Sequence, residues 1–113
     1  MSIYHIYHTS HGLEVWVGKN HTANDILTFE QSKWNDLWFH VKDVAGAHVL
    51  LKYKEDQPFS PEDILEAAQI AVKYSGNKNA KVVTYTECIN IEKPKRCKKG
   101  TVVIMGDRKE VHL

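Results

Sequence analysis

The sequence predicts an α+β fold in which a largely antiparallel β-sheet packs against one long helix. Two observations carry this prediction. Short runs of β-branched and aromatic residues recur between turn-forming residues, which is typical of strands. One amphipathic segment is long enough for several helical turns, and the elements do not alternate as regular strand–helix–strand units. A chain of 113 residues fits a single domain, residues 1–113, with one hydrophobic core.

The long helix is predicted over residues 61–75. Ser60 is a suitable N-cap, and Pro61 takes the first helical position, where a missing amide hydrogen costs nothing. Apolar residues then recur at helical spacing and form one stripe, which consists of Ile64, Leu65, Ala68, Ala71 and Val72. Gly76 supplies a C-terminal stop. This helix should therefore cover one face of the sheet.

A shorter helix and seven strands complete the predicted architecture. The helix is expected near residues 22–29, with Thr22 as its N-cap and Asp25 in the capping-box position. Strands are predicted over residues 3–7, 13–17, 37–41, 47–53, 81–87, 101–105 and 110–113. We expect the first two strands to form one hairpin and the last two to form another. Alternation within residues 37–41 places Trp38 and His40 on the same face of the sheet.

The net charge of +1 conceals an uneven distribution. Residues 1–58 hold 5 Lys and 7 Asp or Glu, whereas residues 59–113 hold 10 Lys or Arg and 7 Asp or Glu. Much of the positive charge lies in one basic segment, defined here as Lys93, Lys95, Arg96, Lys98 and Lys99. Close cations repel one another unless a polyanion neutralises them, so this segment is a candidate phosphate-binding loop. The alternative is a solvated loop without a partner.

Several functional classes lack any supporting motif. There is no run of about 18 apolar residues and no secretory pattern, so we expect a cytoplasmic protein that does not span a membrane. Cys88 and Cys97 are too few for a disulfide framework and are expected to be reduced. The histidines lack partners at metal-ligand spacing, which predicts no metal and no cofactor. No catalytic motif is present, which predicts no enzyme, although Asp36 and His40 leave an unrecognised hydrolase as an alternative.

Polar side chains within apolar runs form a second candidate site. Its members can all reach a ligand and are Lys19, Asn20, Asn24, His40 and His48. His40 and His48 lie on neighbouring predicted strands and can face one cleft, where their protonation would strengthen anion binding at mildly acidic pH. The alternative is that both histidines are hydrogen-bonded supports of a hairpin. Trp38 is the candidate for stacking on a nucleobase, with burial in the core as its alternative.

Four blocks of sequence occur in a recognisable order. The first covers residues 18–49 and includes the run Asp-Leu-Trp-Phe-His at 36–40. The second covers residues 61–75, the third residues 83–87, and the fourth begins at Lys93-Pro94 and continues through Lys98-x-Gly100 into a hydrophobic strand. Together they resemble the NFACT-R domain family in order and spacing, over nearly the whole chain. One block alone would be weak evidence for this family, but four blocks in the same order are strong evidence.

The resemblance implies a non-catalytic RNA-binding domain in ribosome quality control. The expected ligand is transfer RNA or ribosomal RNA, with the large ribosomal subunit as a candidate partner. The other domains of the large quality-control factors have no match in this chain, so we carry over RNA contact and not their addition of untemplated tails. That contact is expected at Lys19, Asn20, Asn24, His40, His48 and the basic segment. A protein-interaction adaptor on the translation machinery and a non-specific DNA binder remain alternatives, and the oligomeric state stays open.

Overall fold

A computed structural model describes residues 3–94 and 101–113 of the chain. A six-stranded antiparallel sheet forms its centre, in the spatial order β1-β2-β4-β3-β5-β8. The strands of this sheet are β1 (Tyr4–His8), β2 (Glu14–Gly18), β3 (Leu37–Val41), β4 (Val49–Leu51), β5 (Val82–Glu87) and β8 (Lys109–His112). With two α-helices beside this sheet, the predicted α+β class is confirmed.

Strand β3 lies between β4 and β5, and its alternation decides which side chains face each layer. Leu37 pairs with Leu51 of β4 and with Glu87 of β5. Leu37 and Phe39 point into the larger hydrophobic core, whereas Trp38 points into a smaller core on the opposite face. Predicted residues 37–41 match this strand at both ends, and the predicted facing of Trp38 is also confirmed.

The long helix α2 spans Pro61–Lys73 and covers one face of the sheet. Its first turn is closed by a capping box, because the Ser60 hydroxyl accepts from the Asp63 amide at 3.1 Å and the Asp63 carboxylate accepts from the Ser60 amide at 3.0 Å. The small side chains of Ala67 and Ala68 are fully buried and bring the helix close to the sheet. The helix ends two residues before the predicted end, since Ser75 instead forms a bridge with Gly46.

The second layer lies on the opposite face of the sheet. Helix α1 (His21–Ile26) continues into a π-helix at Leu27–Gln31, and Leu27 packs with Trp38, Leu50 and Cys88. The N-cap is Asn20 and not the predicted Thr22. Asn20 is extended, with φ −162° and ψ 178°, and its Oδ1 accepts from the Ala23 amide at 2.8 Å.

The strand pairing near the C-terminus corrects the predicted terminal hairpin. Strands β6 (Ile91–Glu92) and β7 (Val103–Ile104) form a separate two-stranded sheet. Strand β8 pairs with β5, where Val111 lies opposite Val83, and it does not close a hairpin with the strand predicted at residues 101–105. Within the described residues, no helix is both long enough and apolar enough to cross a bilayer.

Candidate functional site

A cleft of about 450 Å³ opens where β2 ends and α1 begins. We call it the Lys19 cleft. Its other walls come from the edge strand β1, from the loop before β4 and from the residue after α2. The residues that line it are His5, Gly18, Lys19, Asn20, His21, Asn24, Ala45, Gly46, Ala47 and Tyr74. Three predicted site residues, Lys19, Asn20 and Asn24, therefore meet in this cleft.

Two glycines allow the walls of the Lys19 cleft to approach closely. A Cβ atom on Gly18 would lie 2.0 Å from Oδ1 of Asn24, and one on Gly46 would lie 2.9 Å from Cα of Ser75. Neither position has room for a side chain unless the neighbouring segment moves. The shape of the cleft thus depends on the absence of side chains at these two positions.

The buried side chains of Asn24 and His48 hold α1 against the sheet. Asn24 is 3% exposed, and its Oδ1 accepts from the His48 amide at 3.2 Å. His48 is 2% exposed, with its Nδ1 2.7 Å from Oγ1 of Thr28. The His48 carbonyl accepts from the Gly18 amide at 3.1 Å. These polar atoms thus form hydrogen bonds inside the protein. This agrees with the alternative given for His48, that of a hydrogen-bonded structural support.

His40 and Trp38 line a different and smaller space, which we call the His40 cleft. Its volume is about 180 Å³, and Lys42, Asp43 and Arg108 also line it. The rings of Trp38 and His40 stack with centroids 5.8 Å apart, and the His48 ring meets that of His40 edge-on at 5.7 Å. The polar residues predicted to share one cleft are therefore divided between two clefts with His48 between them.

Burial changes what Trp38 and His40 can contribute. Trp38 is only 4% exposed, so a nucleobase has no open face of its ring to stack on in this structure. Burial lowers the pKa of His40, and hydrogen bonds to the backbone of Val41 and Gly46 offset this only in part. His40 is accordingly harder to protonate than an exposed imidazole, which argues against the expected gain in anion binding through its protonation.

The basic segment begins beside α1. The Lys93 Nζ lies 2.6 Å from Oδ2 of Asp25 and 5.2 Å from the ring centroid of Phe29. Because Asp25 follows Asn24 on the same helix, this ion pair places the start of the segment next to the element that lines the Lys19 cleft. Lys95, Arg96, Lys98 and Lys99 lie outside the described residues.

The Lys19 cleft favours negative charge. Among the described residues that line it there is no Asp or Glu, whereas Lys19, His5 and His21 carry or can acquire positive charge. Tyr74 adds a hydroxyl that is hydrogen-bonded to Tyr7, and this bond raises the pKa of Tyr74 to about 12. Tyr74 therefore remains a neutral phenol at any physiological pH. Sequence reasoning missed His5, His21 and Tyr74, because only the tertiary fold brings them to Lys19.

Neither a metal centre nor an acid–base pair is evident in the parts of the chain that the structure describes. No group of three His, Cys, Asp or Glu side chains could hold a metal ion there. Asp36 is fully buried and accepts hydrogen bonds from the amides of Lys33 and Tyr53 and from the Lys52 ammonium group. The Asp36 carboxylate is thus a structural hub, whose bonds hold the backbone at Lys33 and Tyr53 and balance the charge of Lys52.

Residues 3–106 match the family described as the NFACT protein RNA binding domain. The chain belongs to the NFACT-R family. The resemblance found in the four sequence blocks is thereby confirmed.

The relatives of this NFACT-R domain are longer proteins, and the chain matches only one part of each. The chain is 36% identical over 98 residues to a Bacillus subtilis protein named Rqc2 homolog RqcH, and 35% identical over 96 residues to its Streptococcus suis namesake. These matches cover 85% and 83% of this chain but only 17% of each relative's length. A solved structure, the C-terminal part of a fibronectin/fibrinogen-binding protein from Streptococcus suis, superposes with a TM-score of 0.89 at 31% identity, covering 100% of this chain and 45% of that one.

Proposed function

We propose that this NFACT-R domain binds structured RNA without catalysing a reaction, and that the Lys19 cleft and the basic segment together form the contact surface. The observation that carries the proposal is a cleft with Lys19, His5 and His21 on its walls and no carboxylate among its described lining. Phosphate groups supply most of the affinity in protein–nucleic acid complexes, and such a cleft suits them. The ion pair between Lys93 and Asp25 supports a joint surface with the basic segment.

The predicted residues then fall into two roles. Lys19 and the basic segment would neutralise phosphates, while the side-chain amide of Asn20 and the hydroxyl of Tyr74 would bond sugar or base groups. Asn24, His48 and Trp38 would act indirectly, because their buried side chains hold the cleft walls in position. His40 would belong to this second set, since its ring stacks on Trp38.

The biological setting is proposed from the relatives. Two of them carry the name Rqc2 homolog RqcH, which supports a place in ribosome quality control. The RNA would then be transfer RNA or ribosomal RNA on the large ribosomal subunit, in the cytoplasm. Since the chain spans 17% of those relatives, we assign it RNA contact alone and none of their further activities.

A titration of tRNA against the domain at 50 to 200 mM salt tests the proposal. We expect affinity to fall steeply with salt, and Lys19→Glu to weaken binding and make the slope of log K against log salt shallower by about one. Lys81→Glu is the matched control, because Lys81 is also exposed but precedes β5, towards the other edge of the sheet. A flat salt response, or equal losses in both variants, would contradict the proposal.

Two further measurements separate the alternatives. Duplex DNA that competes as well as tRNA would indicate a non-specific polyanion binder. Ribosome co-sedimentation that survives Lys95→Glu together with Arg96→Glu would instead favour a protein-interaction adaptor. Selective competition by tRNA, with co-sedimentation lost in the double variant, is the result that RNA binding predicts.

A further inference from the structure

A third cleft lies at the opposite end of β2 and β4 from the Lys19 cleft. We call it the Tyr53 cleft; its volume is about 510 Å³, and it is lined by Gly12, Leu13, Glu14, Trp16, Gln31, Lys33, Lys52, Tyr53 and Lys54. Gly18 at the end of β2 lines the Lys19 cleft, whereas Glu14 at its start lines this one. A strand of this length spans roughly 13 Å, so the two clefts are separate sites on one sheet.

The buried carboxylate of Asp36 assembles the Tyr53 cleft from two distant segments. It accepts from the Lys33 amide at 2.8 Å and from the Tyr53 amide at 2.7 Å. It also pairs with the Lys52 ammonium group, which reaches the Gln31 carbonyl at 3.2 Å. Both segments therefore have fixed backbones before any ligand arrives, which reduces the entropy that binding would cost.

The cleft combines an exposed aromatic ring with positive charge, and a second exposed ring follows one of its lining residues in the chain. Tyr53 is 44% exposed, and Trp34, which follows Lys33, is 66% exposed. Trp16 is not available in the same way, because Tyr4 stacks on it with centroids 4.7 Å apart and the Lys52 Nζ lies 4.4 Å from its ring centroid. An exposed ring beside cations is the arrangement that base stacking requires, and among the lining residues Tyr53 meets this requirement. Trp34 is exposed next to Lys33 in the chain, whereas Trp38 is buried.

The charge of the lining also suits a phosphate backbone. Lys33, Lys52 and Lys54 line the cleft, against one acidic residue, Glu14. The Glu14 carboxylate is already engaged, since it accepts from the Trp16 indole nitrogen at 2.7 Å. Lys52 is balanced by Asp36, and the hydrogen-bonded Glu14 keeps its negative charge. Lys33 and Lys54 therefore leave one excess positive charge among the described lining residues.

We propose that the Tyr53 cleft is a second RNA-binding site that takes unpaired nucleotides. One base stacks on the Tyr53 ring, Trp34 contacts a flanking base, and Lys33 and Lys54 neutralise the phosphates. The inference rests on the proposed function, since it assigns single-stranded segments of the same RNA to this end of the sheet and leaves the Lys19 cleft to the folded part. An acidic protein segment is the rival occupant, and the experiment below distinguishes the two.

The test measures fluorescence anisotropy of a labelled oligouridine 12-mer and of a blunt RNA duplex, with the full chain. We expect Tyr53→Ala to weaken binding of the 12-mer about tenfold and to leave duplex binding unchanged, because stacking needs a base that is free of its partner. Tyr53→Phe keeps the ring and should bind like the parent protein. Ile6→Ala removes a similarly exposed apolar side chain from the edge strand β1 and is the matched control.

Trp34 provides a second, independent readout. As the most exposed of the three Trp side chains, it should be quenched when the 12-mer binds, and Trp34→Ala should remove most of that quenching. If Tyr53→Ala fails to fold, the quenching measurement tests the proposal in its place. Lys54→Glu then serves as the second variant and should weaken binding of the 12-mer.

Each other outcome overturns the inference in a recognisable way. If Tyr53→Ala and Ile6→Ala bind the 12-mer equally well while Lys19→Glu still weakens tRNA binding, the Tyr53 cleft is not an RNA-binding site. The proposed function is then unaffected. Intact oligouridine binding with loss of ribosome co-sedimentation in Tyr53→Ala identifies a protein contact instead. A parent protein that binds neither RNA rejects both proposals together.

Discussion

Asn24 joins the first helix to the sheet by accepting a hydrogen bond from the backbone amide of His48 at 3.2 Å. The two residues are 24 positions apart, and both side chains are buried. One amide oxygen thereby fixes how the helix begins relative to the strands, and with it the walls of the Lys19 cleft. The stability and the binding surface of the domain thus depend on the same contact.

Asn24→Leu should destabilise the fold by about 1–3 kcal/mol, because it leaves the buried His48 amide without an acceptor. Urea denaturation at pH 7.5 measures the change. Asn79→Ala is the control, since Asn79 is an exposed asparagine in the loop after α2 and should cost under about 0.5 kcal/mol. Similar midpoints for the two variants would show that the buried bond contributes little.

Gly18→Ala should be destabilising through a direct clash with Asn24. The new Cβ would lie 2.0 Å from the Asn24 Oδ1, and overpacking of this kind costs about 1–3 kcal/mol. A double-mutant cycle with Asn24→Ala isolates the clash, because the smaller side chain removes the opposing atom. We expect the cost of Gly18→Ala to fall sharply in that background; an unchanged cost would place its origin elsewhere.

Asp36→Asn should cost about 3 kcal/mol or more, because it leaves the largely buried Lys52 ammonium group without a counter-charge. Glu110→Gln is the matched control: it removes the exposed ion pair with Lys42, whose atoms lie 2.8 Å apart, and should cost under about 1 kcal/mol. Thermal unfolding of both variants at one pH tests the contrast. Equal shifts in melting temperature would argue against Asp36 as the hub of the Tyr53 cleft.

Stability should decline as the pH falls below about 6.5, and His40 should contribute to that decline. Burial lowers the pKa of His40 in the folded state, so the unfolded chain takes up a proton first and is favoured as the solution becomes acidic. Above that range both states hold neutral imidazole, and the contribution disappears.

Replacing the imidazole tests this assignment. His40→Phe keeps a ring against Trp38 and should show a flatter dependence of unfolding free energy on pH between 7.5 and 5.5. Other charged or titratable groups also face this ring, namely Lys42, Asp43, Arg108 and the edge of His48. The contribution of His40 is therefore the difference between the pH profiles of the parent protein and the His40→Phe variant. Parallel profiles would exclude His40 as the titrating group.

Cys88 should be inert towards thiol reagents in the folded protein. Burial, with a contribution from the nearby Asp36 charge, raises the pKa of its thiol to about 12, so almost no thiolate exists near neutral pH. In a Cys97→Ser background, Ellman's reagent at pH 8 should release no colour until denaturant is added. Prompt reaction without denaturant would show that the smaller core opens readily.

Local sequence patterns predicted the elements whose ends are determined by residues within them or next to them. Strand β3 matched at both ends, because its alternation has to fit two different cores. Helix α2 began at Pro61 as expected from its cap, but its end depended on the bridge between Gly46 and Ser75, which no local signal reveals. The N-cap of α1 was misplaced for a similar reason, since Asn20 and Thr22 are both good caps and tertiary contacts chose between them.

Long-range pairings could not be predicted in the same way. Strand β8 pairs with β5, where Val111 lies opposite Val83 although the two residues are 28 positions apart, and a local hairpin was expected instead. His5 and Tyr74 both line the Lys19 cleft, and their rings stack with centroids 5.3 Å apart although the two residues are 69 positions apart in the sequence. The sequence alone also favoured Trp38 over Trp34 as the residue that stacks on a nucleobase, because packing in the folded protein decides which ring is exposed.

The pairing of Ile91 with Ile104 and of Glu92 with Val103 has a consequence for the basic segment. This short ladder joins the residues on either side of the basic segment, and the entropy of closing a loop grows only slowly with its length. A change in the length or charge of the basic segment should therefore alter polynucleotide binding at little cost to the central sheet.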